Sequence, residues 1–595
     1  MIGCLGKPGS LLTELILTAS MRYPGTKYSY NSRFHLFCGK HIKGLKIAAC
    51  ILLSVMLFNC RKEGNNAIVP ANVLFNYNSL KVNGAFSGFS YKGINTVPVI
   101  KISFTAPVLH ASVTGAITLT DKKSTPAQLD IAYENADSTL IIKPTVPLNF
   151  ISGYKLAVTY ALKSNTGNSL VSPLAVEFLT TIDSTDKFPA ISTDSLLTLV
   201  QKQTFRYFLE FGHSVSGMAR ERNSSGDVVT TGGTGFGIMA LPVAIQRKFI
   251  TKEEGLARMQ KTVDFLKNKA QRYHGAYPHW LNGATGITVP FSANDDGADL
   301  VETSYLIMGL LTVRQYFNGP ATDETTLRKD ITALWDSVEW DFFTRDGSNK
   351  LYWHWSPTKN WMMNMPIQGW NECLITYVLA ASSNTHSITK AVYDNGFARN
   401  GAIKNNSSYY GYLLPLGEAY GGPLFFEQYS FLGLNPKGLS DAYANYQTQA
   451  VNHSKINYEY CKANPKNYFG YSKSCWGLTA SDIQNGYSAS SPANDLGVIA
   501  PTAAISSMPF TPEESLQALN FFYYKMGDKI WGQYGMVDAF SLNDVWFAGS
   551  YLAIDQGPQI GMIENYRTGL LWKLFMSCPE VQAGLTKLGF TYQIQ

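Results

Sequence analysis

Hydrophobic and polar positions along this chain follow two periods. From Val69 to Thr181 the apolar residues come in short runs, several alternating with polar ones: Val97-Pro98-Val99-Ile100-Lys101-Ile102-Ser103-Phe104, Ala116-Ile117-Thr118-Leu119, Thr139-Leu140-Ile141-Ile142, Tyr154 to Tyr160, and Val176-Glu177-Phe178-Leu179. Strands of this length with turn residues between them predict a small all-β sandwich over residues 69–182. After Ile182-Asp183-Ser184-Thr185-Asp186 the spacing becomes helical and stays so over residues 192–595, as in Leu196 to Phe211, Ala257 to Phe265, Leu306 to Phe317, Leu374 to Ala381 and Leu516 to Tyr524. Roughly ten to twelve helices fit that length. The chain is therefore expected to be mainly α, with a separate β module in front.

The first 60 residues follow neither period. Lys40, His41, Lys43 and Lys46 precede the apolar run Ile47 to Phe58, which is too short for a membrane span and reads as the core of an export signal. Leu57-Phe58-Asn59-Cys60 resembles a bacterial lipobox, so Cys60 is the expected lipid attachment site. Residues 61–68 then form a tether, and residues 1–39, which have no role in such a signal, read as an upstream extension. The localisation expected from this is a Gram-negative cell envelope, held to the membrane through lipid.

The leader also changes the charge. The net charge is +6, but residues 1–60 carry seven Lys/Arg and one acid, Glu14, leaving 42 basic and 42 acidic residues after Cys60. A neutral chain has no general footprint for nucleic acid. Four cysteines follow Cys60, and the spacing of Cys461 and Cys475 would allow a disulfide in an oxidising envelope. No Cys or His spacing resembles a metal site, so no metal or cofactor is expected. All 11 Trp lie after residue 192, many in loops rich in Gly, Asn and Pro. Single Trp residues are usually core; several in polar loops suit stacking on sugar rings, with Trp370, Trp476 and Trp546 as candidates.

The densest chemistry is Asn294-Asp295-Asp296-Gly297-Ala298-Asp299-Leu300-Val301-Glu302, with no Lys or Arg between Tyr273 and Arg314. Asp295, Asp299 and Glu302 are spaced to share one helix face, with Asn294 as the cap. Carboxylates that crowd one another raise their proton affinity, the condition for a general acid or base near neutral pH.

Five strings resemble the glycoamylase-like domain family, which includes the β-1,2-glucanases of glycoside hydrolase family 144. They are Thr234 to Leu241, Asp299 to Phe317, Trp370-Asn371-Glu372 with Tyr377 to His386, Ile499 to Glu513, and Ile554 to Gly569. The front module resembles bacterial Ig-like modules, with Leu140-Ile141-Ile142-Lys143-Pro144 before a loop and Tyr154 opening the next strand.

The resemblance implies an (α/α)6 toroid and hydrolysis of β-1,2-linked glucan. Endo cleavage to sophoro-oligosaccharides is expected, exo release of sophorose or glucose is the alternative, and a non-catalytic glycan-binding lipoprotein is the rival outside enzymes. Hydrolysis needs carboxyls on both faces of the sugar. Glu372 is the expected general acid, and the base comes from Asp295, Asp299, Glu302 or Asp555, with inversion of the anomeric carbon. Asp555, Glu564 and Arg567 are further candidates for substrate contact, with Arg567 expected to pair with Glu564. A monomer is expected.

Overall fold

The computed structural model describes residues 74–594; the export signal, Cys60 and the tether lie outside them. The β module holds nine strands: β1 Tyr77–Val82, β2 Ser90–Ile94, β3 Ile100–Phe104, β4 Ile117–Asp121, β5 Pro126–Ala127, β6 Leu129–Glu134, β7 Thr139–Pro144, β8 Gly153–Val158 and β9 Leu174–Thr180. They form a four-stranded sheet in the order β1-β3-β7-β6 and a five-stranded sheet in the order β2-β9-β8-β4-β5, antiparallel except for the β2–β9 pair. Ile100, Ile102, Leu140, Ile142, Leu156 and Val176 point between the sheets and are fully buried, as the period of two requires. β1 and β2 were not legible because YNSLKV and SYKGI carry few apolar residues. Their place is fixed by pairing with β3 and β9.

Fifteen α-helices follow: α1 Thr193–Glu210, α2 Thr231–Gln246, α3 Lys252–Asn268, α4 Leu300–Tyr316, α5 Thr322–Asp336, α6 Leu374–Ser382, α7 Lys390–Asn395, α8 Phe425–Gln428, α9 Tyr446–Ala463, α10 Pro501–Ser506, α11 Pro512–Asn520, α12 Gly527–Ile530, α13 Ala553–Arg567, α14 Leu570–Met576 and α15 Pro579–Leu588. They divide into two kinds. In α2, α4, α6, α10 and α13 nearly every side chain is buried whichever way it points, so these are inner helices. α3, α5, α11 and α15 bury one stripe and expose charges on the other. α3 is started by a capping box between Thr251 and Glu254.

The inner helices pack in sequence: α2 lies against α4 and α13, α4 against α6, and α13 against α10. Close approach of α2 to α4 depends on glycine. A Cβ on Gly235 would sit 2.2 Å from the Tyr305 carbonyl oxygen.

The segment between module and helices is laid down on the helical part. Phe188 stacks on Tyr523 at 4.6 Å, the Lys187 amide donates to the Tyr524 carbonyl, and the Ile191 amide donates to the Tyr524 hydroxyl. The sandwich touches the same body through Lys92 Nζ on the Asn467 carbonyl (3.1 Å) and Lys122 Nζ on the Asp544 carbonyl (2.8 Å), and Ile151 is buried in the helical core. Among the described residues no helix is long and apolar enough to cross a membrane.

Candidate active site

Two short pairings assemble the acidic site. The strand Val228–Thr230 pairs with Trp280–Asn282, and the Thr231 amide donates to the His279 carbonyl, so His279 lies beside the start of α2. Ala298–Asp299 pairs with His354–Trp355, setting Asp299 opposite His354. Asp299 then caps α4: its Oδ1 accepts from the Val301 and Glu302 amides (3.0 and 2.9 Å) and its Oδ2 accepts from His279 Nδ1 at 3.1 Å. His354 Nε2 lies 3.3 Å from Asp295 Oδ2 and 3.5 Å from Asp299 Oδ2. Glu302 Oε2 accepts from the Gly232 amide at 2.6 Å, at the first turn of α2.

Asp295, Asp299 and Glu302 therefore meet, but not along one helix face. The helix begins at Leu300, and its cap is Asp299 rather than Asn294. Gly297 is pressed against the Trp355 carbonyl, where a Cβ would sit 2.3 Å away. The chain before Asp299 thus runs as a loop, and Asp295 reaches the site from a turn that it closes with Ser292.

The four acids stand in different protonation regimes. Glu372, just ahead of α6, is pushed up to about 7 by burial, with Glu302 and Asp299 adding repulsion. Asp295 is raised to about 6, mainly by burial. Burial and the Asp299 charge also outweigh the opposing pull of His279 on Glu302 and raise it. Burial alone would raise Asp299 too, but the hydrogen bonds from His279 and His354 hold it well below the usual carboxylate range. Burial works against the His279 imidazolium, yet Glu302, Asp299 and Asp295 together raise it to about 9. The centre thus holds an imidazolium, an ionised Asp299 and a Glu372 that is protonated up to neutrality. Donor atoms of His279, Asp295 and Asp299 lie within 4.8 Å of one another, a spacing that would admit a cation. In the arrangement seen, His279 Nδ1 spends its proton on Asp299, which a metal ion would have to displace.

A second carboxylate group lies at the start of α13. Asp555 is 2% exposed and Asp538 1%; with Asp482, Arg222 and Glu221 they form a set of their own. Tyr429 packs edge-on to Tyr305 at 5.7 Å and against Phe236 at 5.0 Å. Its hydroxyl is pushed well above the ordinary tyrosine value by burial and then by Asp555, Tyr487, Glu372 and Glu302, so charges of both carboxylate groups act on it. Phe291, 49% exposed, leans over the His279 ring at 4.3 Å and Trp280 at 4.8 Å, an apolar surface at the mouth.

Other residues singled out from sequence lie elsewhere. Glu564 forms a two-point ion pair with Arg247 (2.8 and 2.9 Å) at the far ends of α13 and α2. Arg567 does not pair with it, but bonds Gln201, Thr198 and Asp194 on α1. Trp476 is fully buried with its Nε1 on the Glu514 carbonyl, and so offers no face to a sugar. Trp370 is 7% exposed, stacked with Phe431 and Tyr446, and supports the loop that carries Glu372. Trp546 is half-buried in a short hairpin pairing Phe540–Ser541 with Trp546–Phe547. Cys461 and Cys475 are buried free thiols rather than a disulfide. His279, His354, Asp482, Asp538, Tyr305 and Tyr429 were missed; only His279 carried a signal, as a basic group inside the stretch without Lys or Arg that holds the acid run. A cavity of about 740 Å³ opens on the outer helices between Tyr458, Gln517 and Tyr524. None of the clustered acids lines it, and the site is assigned from charge rather than volume.

Residues 364–579 match a family model described as "Putative glucoamylase", and residues 89–180 match the bacterial Ig-like domain. An endo-β-1,2-glucanase from Chitinophaga pinensis, solved with sophorotriose and glucose, is 53% identical; the match covers 68% of this chain and 99% of that one, with a TM-score of 0.66. The chain belongs to the glycoamylase-like family. A β-1,2-glucanase from Parabacteroides distasonis is 36% identical to this glycoamylase-like chain, covering 87% of it and 73% of its own length at a TM-score of 0.66. An exo β-1,2-glucooligosaccharide sophorohydrolase acting at the non-reducing end, from the same species, is 43% identical over 73% of this chain and 62% of its own length. The chain therefore spans less than two thirds of that curated relative.

Proposed function

We propose that this chain is a glycoside hydrolase that cleaves β-1,2-glucan with inversion, on an (α/α)6 toroid whose inner ring includes α2, α4, α6, α10 and α13. The observation that carries the reading is the gathering of buried carboxyls in two groups, Glu372 with Asp299 and Glu302, and Asp555 with Asp538, both acting on the Tyr429 hydroxyl. In the packing of the inner helices α4 and α2 come between α6 and α13, which supports a reading in which the two carboxyls reach the sugar from different sides. In an inverting hydrolase the acid and base stand about 6.5–9.5 Å apart, with a water between the base and the sugar. Glu372 gives its proton to the leaving glycosidic oxygen as the C–O bond breaks. Water attacks the anomeric carbon from the other face and loses a proton to Asp555. Asp299, fixed as an anion by His279, and Glu302 keep the Glu372 proton in place by repulsion.

The chemistry of the substrate is supported by relatives named for β-1,2-glucan. Endo cleavage is favoured by 53% identity over nearly the whole length of an endo-acting enzyme. Incubation with linear β-1,2-glucan decides it: sophoro-oligosaccharides of mixed length at early times support the proposal, and sophorose alone would replace it with exo action. Products that require added phosphate would replace hydrolysis with phosphorolysis. We also propose that Cys60 carries the lipid that holds the enzyme to the cell envelope.

A further inference from the structure

The carboxyls of Asp538 and Asp555 lie within hydrogen-bonding reach of each other, both nearly inaccessible to solvent. One oxygen of Asp538 is satisfied: Oδ2 accepts from the Asp482 amide at 2.7 Å. Asp538 Oδ1 and Asp555 Oδ2 are buried with no donor from any other residue. Buried carboxylate oxygens require a hydrogen, and two carboxylates in contact cannot both stay ionised.

The neighbours add more negative than positive charge. Arg222 is the cation of this group, and it is already divided between Glu221 (2.9 Å) and both oxygens of Asp482 (3.1 Å each). Ser550 Oγ donates to Asp482 Oδ2 at 2.5 Å. Tyr487, from the hairpin that carries Asp482, and Tyr429, at the end of α8, are near enough for the Asp555 charge to raise their hydroxyls. A lone proton between the two aspartates is the arrangement that satisfies both orphaned oxygens and leaves the pair one negative charge.

We propose that Asp538 and Asp555 share one proton, and that Asp538 acts as a positioning residue that sets the basicity of Asp555 for the hydrolytic step. The proposal rests on the inverting reading above. During the step the water oxygen bonds to the anomeric carbon, the glycosidic C–O bond breaks, and the leaving oxygen takes the Glu372 proton. The proton released by the water goes to the pair, which passes from one proton to two. Solvent then returns the pair to one proton and Glu372 to its acid form. Sharing spreads one negative charge over both carboxyls and holds the pair against a second proton, so Asp555 stays available as a base to lower pH than a lone buried aspartate would.

The test compares the wild-type chain with Asp538→Asn and Asp538→Glu. Asn offers Asp555 an amide hydrogen, a weaker donor than a carboxyl, so the acid limb of kcat/KM on β-1,2-glucan should move up by about a pH unit, a tenfold rise in proton affinity. Asp538→Glu should move it back toward wild type. Infrared difference spectra at pH 6.5, wild type minus Asp538→Asn, should show one protonated-carboxyl C=O stretch that the variant lacks. An unchanged acid limb in Asp538→Asn, or no lost stretch, overturns the proposal. The infrared readout is independent of turnover: a lost stretch in a chain inactive on glucan keeps the shared proton and removes its catalytic use along with the function proposed above. If Asp538→Asn does not fold, the difference spectrum wild type minus Asp555→Asn takes its place, and a spectrum with no lost protonated-carboxyl stretch overturns the proposal.

Discussion

Glu372 and Asp299 both precede a helix of the inner layer, yet their proton affinities are moved in opposite directions, and the difference lies in what faces them. Asp299 receives two amide hydrogens and two imidazoles, whereas Glu372 is buried, repelled by Glu302 and Asp299, and helped only by its own backbone amide. Glu372→Gln should therefore retain glucan binding and lose about 10²- to 10⁴-fold in kcat, the usual contribution of a general acid. Turnover near wild type in a steady-state assay would remove Glu372 from that role. His279 allows a separate check by stability. Its pKa is raised above the unfolded value to about 9, so the stabilisation from the imidazolium is full below about pH 6.5 and is lost as pH rises through 9. His279→Gln should flatten the fall in Tm between pH 7 and 9.5, and a slope equal to wild type would deny the imidazolium that part. At this scale the sequence showed where acids crowd, because an acid run without Lys or Arg is visible in one dimension. It did not show Asp538 or Asp482, which are single acids brought to Asp555 by contacts across 17 and 73 positions of chain.

The start of α4 shows how an element can be legible while its end is not. Its apolar run made the helix plain, but the acids before it fitted a helical spacing equally well. The decision fell to a strand pairing with His354 that no local pattern records. Asp299 thus has two separable roles, cap and anion. Asn is as good an N-cap as Asp, while Ala forfeits about 0.5–2 kcal/mol. Asp299→Asn should keep the wild-type urea midpoint within a small margin and lose activity, and Asp299→Ala should lose both. Equal destabilisation in the two variants would mean that charge pairing, not capping, fixes the start of the helix. Of the inner helices, α4 and α6 were readable from their apolar runs, whereas α13, AIDQGPQIGMIENYR, mixes polar and apolar residues on every side and shows its burial only in the fold. The short strands that place His279 and His354 were not, since two- and three-residue pairings have no period to detect.

At the scale of the whole molecule, the change of period near Ile182 marked a boundary, but not how closely the two parts are joined. Among the described residues the sandwich is bound to the helical body by contacts that include Lys92 to Asn467, Lys122 to Asp544, and Ile151 within the core. The proposed anchor is tested apart from them: Cys60→Ser should shift the protein from the membrane to the soluble fraction, and unchanged fractionation would point to another anchor. Removing residues 1–182 addresses the joint itself. All acids of both carboxylate groups lie after that point, so the truncated chain should still cleave β-1,2-glucan. It should also unfold at a lower temperature than the intact chain, because Ile151 leaves an apolar site uncovered. The cut has to precede Asp183, since Phe188 on Tyr523 and the amide of Ile191 on the Tyr524 hydroxyl belong to the helical body. Asp544 is the contact to watch. Its carboxylate accepts from Ser541 and Gln484, one in each of the two hairpins flanking Asp538 and Asp482. A truncation that is folded and monodisperse but inactive would show that the sandwich, through Lys122, holds the Asp555 side of the mouth in its working shape.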